Sequence, residues 1–122
     1  MRLKTADDRQ PDIDALEALL TRPDIDASTR TQIDREIKTI RAGARGEREA
    51  AYEIDFHYAP NPNRAVIHDL RLEVDGRVAQ IDHLIIDRCM TIWVCESKHF
   101  AEGVGVNEHG EWVRFFGGLP AG

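Results

Sequence analysis

The chain has 122 residues, 42% of them hydrophobic and 31% charged, a balance that suits one globular domain with a modest core. No apolar run reaches the ~18 residues that a membrane span needs, and Met1-Arg-Leu-Lys-Thr-Ala-Asp-Asp lacks the apolar stretch of a secretory leader, so the expectation is a cytoplasmic protein with no membrane partner. A formal net charge of -6 argues against non-specific nucleic-acid binding over a wide surface, yet leaves room for a local site in which carboxylates recruit a divalent cation.

Pro11 opens a first predicted helix over Asp12–Leu20, with Ile13, Leu16, Leu19 and Leu20 on one stripe. Thr21-Arg-Pro-Asp punctuates it. A second helix opens near Ser28 and carries Ile33, Ile37 and Ile40 at helical spacing until Gly43 and Gly46 weaken or end it. Glu47–Phe56 reads as a third helical segment, with Ala50, Ala51, Ile54 and Tyr52 as candidates for its buried side. Two separate helices and one bent rod fit this stretch equally well. Asn61-Pro-Asn-Arg is a loop signal.

From Ala65 the period changes to that of strands. Ala65–Val74 alternates apolar and polar residues, Asp75-Gly76 supplies a tight turn, and Val78–Asp87 makes a second strand. Thr91–Lys98 makes a third. Short strands are predicted at Val104–Val106 and Trp112–Phe116 around Glu108-His-Gly, after which Gly117–Gly122 reads as a tail. Helices followed by a strand meander define an α+β (α/β) domain. Cys89 and Cys95 match no metal or redox spacing and read as two buried free thiols; the five histidines lack helical zinc spacing.

The second and third strands are apolar on both faces, as in the covered centre of a sheet, yet Asp82, Glu96 and Lys98 interrupt them. A buried unpaired charge costs several kcal/mol or more, so each of these residues needs a partner. Glu96 and Lys98 leave the same face of one strand. With a three-residue turn at Arg88-Cys89-Met90, Asp82 falls opposite Glu96, where paired Cβ atoms lie roughly 4.5–5.5 Å apart. A divalent cation between the carboxylates is one resolution; a simple ion pair of Glu96 or Asp82 with Lys98 is the other. A two-residue turn would instead send Asp82 to the opposite face. His83 and His99 flank these residues, point to the other face, and read as structural.

Gly46-Glu-Arg-Glu-Ala-Ala-Tyr, His68-Asp-Leu-Arg-Leu, Gln80-Ile-Asp-His-Leu-Ile-Ile and Glu96-Ser-Lys-His-Phe, with Gly103-Val-Gly-Val-Asn-Glu-His-Gly-Glu-Trp after them, resemble the NERD (nuclease-related) domain over roughly Arg45–Phe116. That family is related to the PD-(D/E)xK nucleases. The resemblance implies a restriction-endonuclease-like mixed sheet flanked by helices, with residues 1–44 as an N-terminal helical extension, 45–116 as the core and 117–122 as the tail. It implies a nuclease hydrolysing phosphodiester bonds in DNA, with Asp82, Glu96 and Glu47 holding Mg²⁺ (Mn²⁺ as a substitute) and Lys98 assisting the attacking water. Gln80 shares a strand face with Asp82.

Lys38, Arg41, Arg45 and Arg48 follow a helical stripe toward Glu47, giving Arg41, Arg45, Arg48 and Gln80 as candidate nucleic-acid contacts. The same arginines also suit a solvated face paired with Asp34 and Glu49. The family's core usually adds a helix and strand after Glu-x-Lys, so a homodimer or a partner chain is a candidate for completing it. The alternative function is a non-catalytic nucleic-acid-binding or scaffold domain that keeps the fold.

Overall fold

The computed structural model describes residues 1–100 and 102–121; Gly122 of the expected tail lies outside them. The protein is a mixed α+β domain. In chain order it has β1 (Arg2–Lys4), α1 (Gln10–Leu20), α2 (Ala27–Tyr58), β2 (Arg64–Val74), β3 (Arg77–Asp87), β4 (Ile92–Cys95), β5 (Val104–Val106), β6 (Trp112–Phe116) and β7 (Leu119–Ala121). The main sheet runs β1-β2-β3-β4, and β5-β6-β7 form a smaller one. β1 pairs parallel to β2 while the other pairs are antiparallel, so the main sheet is mixed. β1 was not foreseen: three residues with a single aliphatic carry too little pattern.

Helices α1 and α2 pack through one apolar cluster. Ile13, Ile33 and Ile37 are buried, and Leu16, Leu20, Ile25 and Ile40 close around them. Leu19, expected on that stripe, sits at its exposed edge. Asp26 caps α2 by accepting a 2.7 Å hydrogen bond from the Thr29 N–H, and that bond holds its carboxyl below the ordinary value. α2 then runs unbroken for 32 residues, about 48 Å at 1.5 Å per residue. Gly43 and Gly46 therefore do not end it; anchoring at both ends outweighs their low helix propensity. Tyr52 points outward, 67% exposed, and stacks on Phe56 instead of entering the core.

A Cβ added at Gly43 would meet nothing within 4 Å, and its φ is not in the left-handed region. Gly43→Ala is expected to stabilise the protein by about 0.5–1 kcal/mol, read as a higher urea midpoint with unchanged slope.

The turns set the register of the sheet. Asp75 and Gly76 both have positive φ (50° and 75°), the two-residue turn that matches strand twist. The β3–β4 turn has three residues: the Asp87 N–H donates to the Thr91 carbonyl, the Met90 N–H donates to the Asp87 carbonyl, and Met90 takes φ 65°. Asp87 Oδ1 accepts from the Cys89 and Thr91 N–H groups, which locks the turn. The resulting pairs, Ile86 with Ile92 through His83 with Cys95, are those of the expected register.

Several expectations fail at the sheet's far edge. β4 stops at Cys95, so Glu96 and Lys98 lie past the strand, not on it. Nor is β4 covered on both faces, for Ile92, Trp93 and Val94 are exposed. Cys89 is exposed in the turn and Cys95 is half-buried; the thiols are free but not buried. Gly117 and Gly118, with φ 63° and 77°, form a second tight turn into β7, so the expected tail contains a strand. Two consecutive glycines read as a break in pattern when they were a hairpin turn. Among the described residues, no helix is long and apolar enough to cross a membrane.

Candidate functional site

Asp82, Gln80 and Glu47 meet at one cavity of about 540 Å³. Asp82 and Gln80 come from β3 and Glu47 from the middle of α2. The cavity is also lined by Asp69 of β2 and by Asp7, Asp8, Arg9 and Asp12 from the segment leading into α1. Asp69 falls across from Asp82, between the pairs His68–His83 and Leu70–Ile81. Its φ of 51° is a left-handed conformation inside a strand, which aspartate tolerates better than most residues. Asp69 Oδ2 accepts from the Asp7 N–H at 2.7 Å, tying the N-terminal segment over the site.

Asp69 and Asp7 were not among the predicted site residues. A signal for Asp69 existed: His68-Asp69 puts two polar residues in succession between the apolar run Ala65–Ile67 and Leu70. Asp7 carried none, since its place depends on a long-range contact.

Six carboxylates and one guanidinium line this cavity. Glu47 shows the consequence: its pKa is raised, first by burial and then by the negative charges of Asp82 and Asp69, with Arg9 opposing. Because the folded state favours the protonated form, the associated stability is present below the ordinary carboxylate range and is lost as pH rises through the raised value. Glu47→Gln is therefore expected to raise the urea midpoint at neutral pH, with the gain vanishing in acid. A gain independent of pH would point to packing instead of charge.

Glu96 and Lys98 do not line the cavity. They are exposed and pair with each other, Lys98 Nζ to Glu96 Oε1 at 3.0 Å. This is the simpler of the two arrangements expected for these charges. The ladder ends at His83 with Cys95, one step short of Asp82 and Glu96. The segment nonetheless stays close to the site. The Ser97 N–H donates to Asp82 Oδ2 at 2.9 Å, and a Cβ added at Gly46 would lie 3.4 Å from the Cβ of His99. The stretch after β4 thus passes α2 beside Glu47. Among the described residues, no three or more His, Cys, Asp or Glu side chains are already gathered as a metal-holding group.

Arg41, Arg45 and Arg48 line an adjoining cavity of about 570 Å³ that shares Glu47, Asp7, Asp8 and Arg9 with the acidic one. Arg41 pairs with Glu17 at 2.7 Å and Arg45 with Glu49 at 3.2 Å. The Glu49 partner was expected; Glu17 of α1 replaces the expected Asp34. Exposed pairs of this kind contribute about 0–1 kcal/mol, so they open readily for another anion.

Residues 42–119 match the family model described as NERD, nuclease-related domain. The chain belongs to the nuclease-related domain family. No curated protein and no solved structure gave a match. Within this NERD domain, the matched region holds Glu47, Asp69, Gln80, Asp82, Glu96 and Lys98, while Asp7, Asp8, Arg9 and Asp12 reach the same cavity from outside it.

Behind the site, on the opposite face of β3 from Asp82, sits a polar core. His68 and His83 are 1% and 2% exposed. Their Nδ1 atoms lie 2.9 Å apart, so one proton serves both. His68 Nε2 donates to Asp55 Oδ1 at 2.7 Å, and His83 Nε2 meets Ser97 Oγ at 2.6 Å. Burial, and next the neighbouring His68, lowers the pKa of His83 and favours its neutral ring. The structural reading of His83 fits this placement; His99 is exposed instead.

Proposed function

We propose that this NERD domain is a divalent-cation-dependent nuclease acting on DNA. The observation that carries the reading is the meeting of two cavities at Glu47: one walled by Asp82, Asp69 and Gln80, the next by Arg41, Arg45 and Arg48. Carboxylates that can hold a cation at the scissile phosphate and arginines along the flanking backbone are what metal-dependent phosphodiester cleavage uses.

The donor set suits Mg²⁺ or Mn²⁺, being all oxygen, and the pKa of Glu47, raised first by burial and then by the charges of Asp82 and Asp69, is one that a neighbouring cation would bring down. Asp82 and Glu47 would hold the ion, joined by Glu96 once it leaves Lys98. When bound, such an ion polarises the phosphate and acidifies a coordinated water. Lys98, freed from Glu96, places an ammonium beside the negative charge that builds on the phosphate oxygens. Arg41, Arg45 and Arg48 bind the approaching backbone, and Gln80 supplies an amide donor and acceptor next to Asp82.

The test is incubation of linear and supercoiled DNA with the wild-type protein in Mg²⁺, in Mn²⁺ and in EDTA. Cleavage is expected with either cation and none with the chelator. Cleavage insensitive to EDTA would remove the cation from the reading. The closed Glu96–Lys98 pair favours a second reading, a DNA-binding scaffold without catalysis. In that case calorimetry would record DNA binding but no divalent-cation binding, with or without DNA.

A further inference from the structure

The Glu96-Ser97-Lys98 segment begins where the sheet ends. β4 stops at Cys95, and His83–Cys95 is the last pair of the β3–β4 ladder. Ser97 is nevertheless held at two atoms. Its N–H reaches Asp82 Oδ2 on the cavity side, and its Oγ reaches His83 Nε2 on the buried side. From His83 the contacts continue through His68 to Asp55 of α2, whose other oxygen pairs with Arg2 at 3.1 Å.

We propose that Asp55, His68, His83 and Ser97 form a positioning chain that fixes the Glu96-Ser97-Lys98 segment against Asp82, an inference that rests on the nuclease reading for its effect on catalysis. Each bond taken alone contributes about 1 kcal/mol, but a buried ring nitrogen left without a partner costs more, so the chain is held together as a unit. A core built only for stability would fill this space with aliphatic side chains at equal or better energy. What the imidazoles add is direction: each ring has two nitrogens at fixed angles, so Ser97 is placed relative to β3, β2 and α2 together. α2 also carries Glu47, eight residues before Asp55. One chain therefore references both the Glu-x-Lys segment and Glu47 to the same helix. None of its members lines the acidic cavity, so these are positioning residues.

Ser97→Ala removes the terminal link and the partner of His83 Nε2, Ser97→Thr keeps the hydroxyl, and Asp55→Asn perturbs the far end without touching the site. Two quantities are measured in each: hydrogen exchange at the Ser97 amide, and kcat and KM for DNA cleavage in Mg²⁺. Ser97→Ala is expected to speed exchange about tenfold, the equivalent of one lost hydrogen bond. It should lower kcat by about 10–100-fold with KM within about twofold. Ser97→Thr should restore both, and Asp55→Asn should move both in the same direction as Ser97→Ala. Wild-type exchange and kcat in Ser97→Ala, or a threonine variant no better than alanine, overturns the proposal. If the wild type cleaves nothing, the nuclease reading fails separately. Exchange then decides alone: faster in Ser97→Ala and Asp55→Asn supports the chain, and unchanged exchange overturns it.

Discussion

Replacing Lys98 or Glu96 by alanine is expected to lower Mg²⁺-dependent DNA cleavage by about 10²–10³-fold, the usual loss for one group that stabilises charge in a transition state. Stability should move by no more than about 1 kcal/mol, because the pair is exposed and solvent-screened. That combination separates a chemical role from a structural one. The two variants are also expected to differ. Without Lys98, Glu96 is free to join Asp82 and Glu47, so cation affinity by calorimetry should be kept or improved. Without Glu96, cation affinity should fall. Equal cleavage by the wild type and both variants would sink the catalytic assignment, and identical cation affinity in the two would remove Glu96 from the ligand set.

Replacing His68 by alanine should be the most destabilising single change at a polar residue, at about 3–5 kcal/mol. It opens a cavity, and it strands His83 on one side and Asp55 on the other. A urea titration would show this as a midpoint lower by about 1 M or more. The control is His57→Ala, whose ring is 61% exposed on α2 and should shift stability by about 0.5 kcal/mol at most. A His68 variant as stable as that control would mean the imidazole pair carries little of the core's integrity.

The sequence made some of this visible because local chemistry dictated it. Asp75-Gly76 and the three-residue turn at Arg88-Cys89-Met90 fix the β2–β3–β4 register. That register puts Asp82 on the cavity side and His83 behind it. Continuity of α2 is not legible locally because Gly43 and Gly46 lower propensity there, whereas the anchors that overrule them lie at Ile33–Ile37 and at Asp55. The place of Glu96 is obscured for a related reason. The unbroken apolar run Ile92–Cys95 signals a strand but does not mark its end, and pairing stops at Cys95, before Glu96. Asp7 and the N-terminal acids were out of reach, since a hydrogen bond between residues 62 apart leaves no trace in a local pattern. The two-residue turn at Asp75-Gly76 also sets His68 opposite His83, so their pairing was legible in the sequence, while the link onward to Asp55 of α2 was not.

The bare outer edge of the sheet has its own consequence. β4 offers an open row of peptide groups flanked by Ile92, Trp93 and Val94, with neither a proline nor a charged side chain within the strand to discourage a newcomer. A strand of another chain laid along it would find N–H and C=O groups ready to pair, the usual route to edge-to-edge association. At four residues, β4 keeps that template short, which limits how firmly a second edge can hold to it.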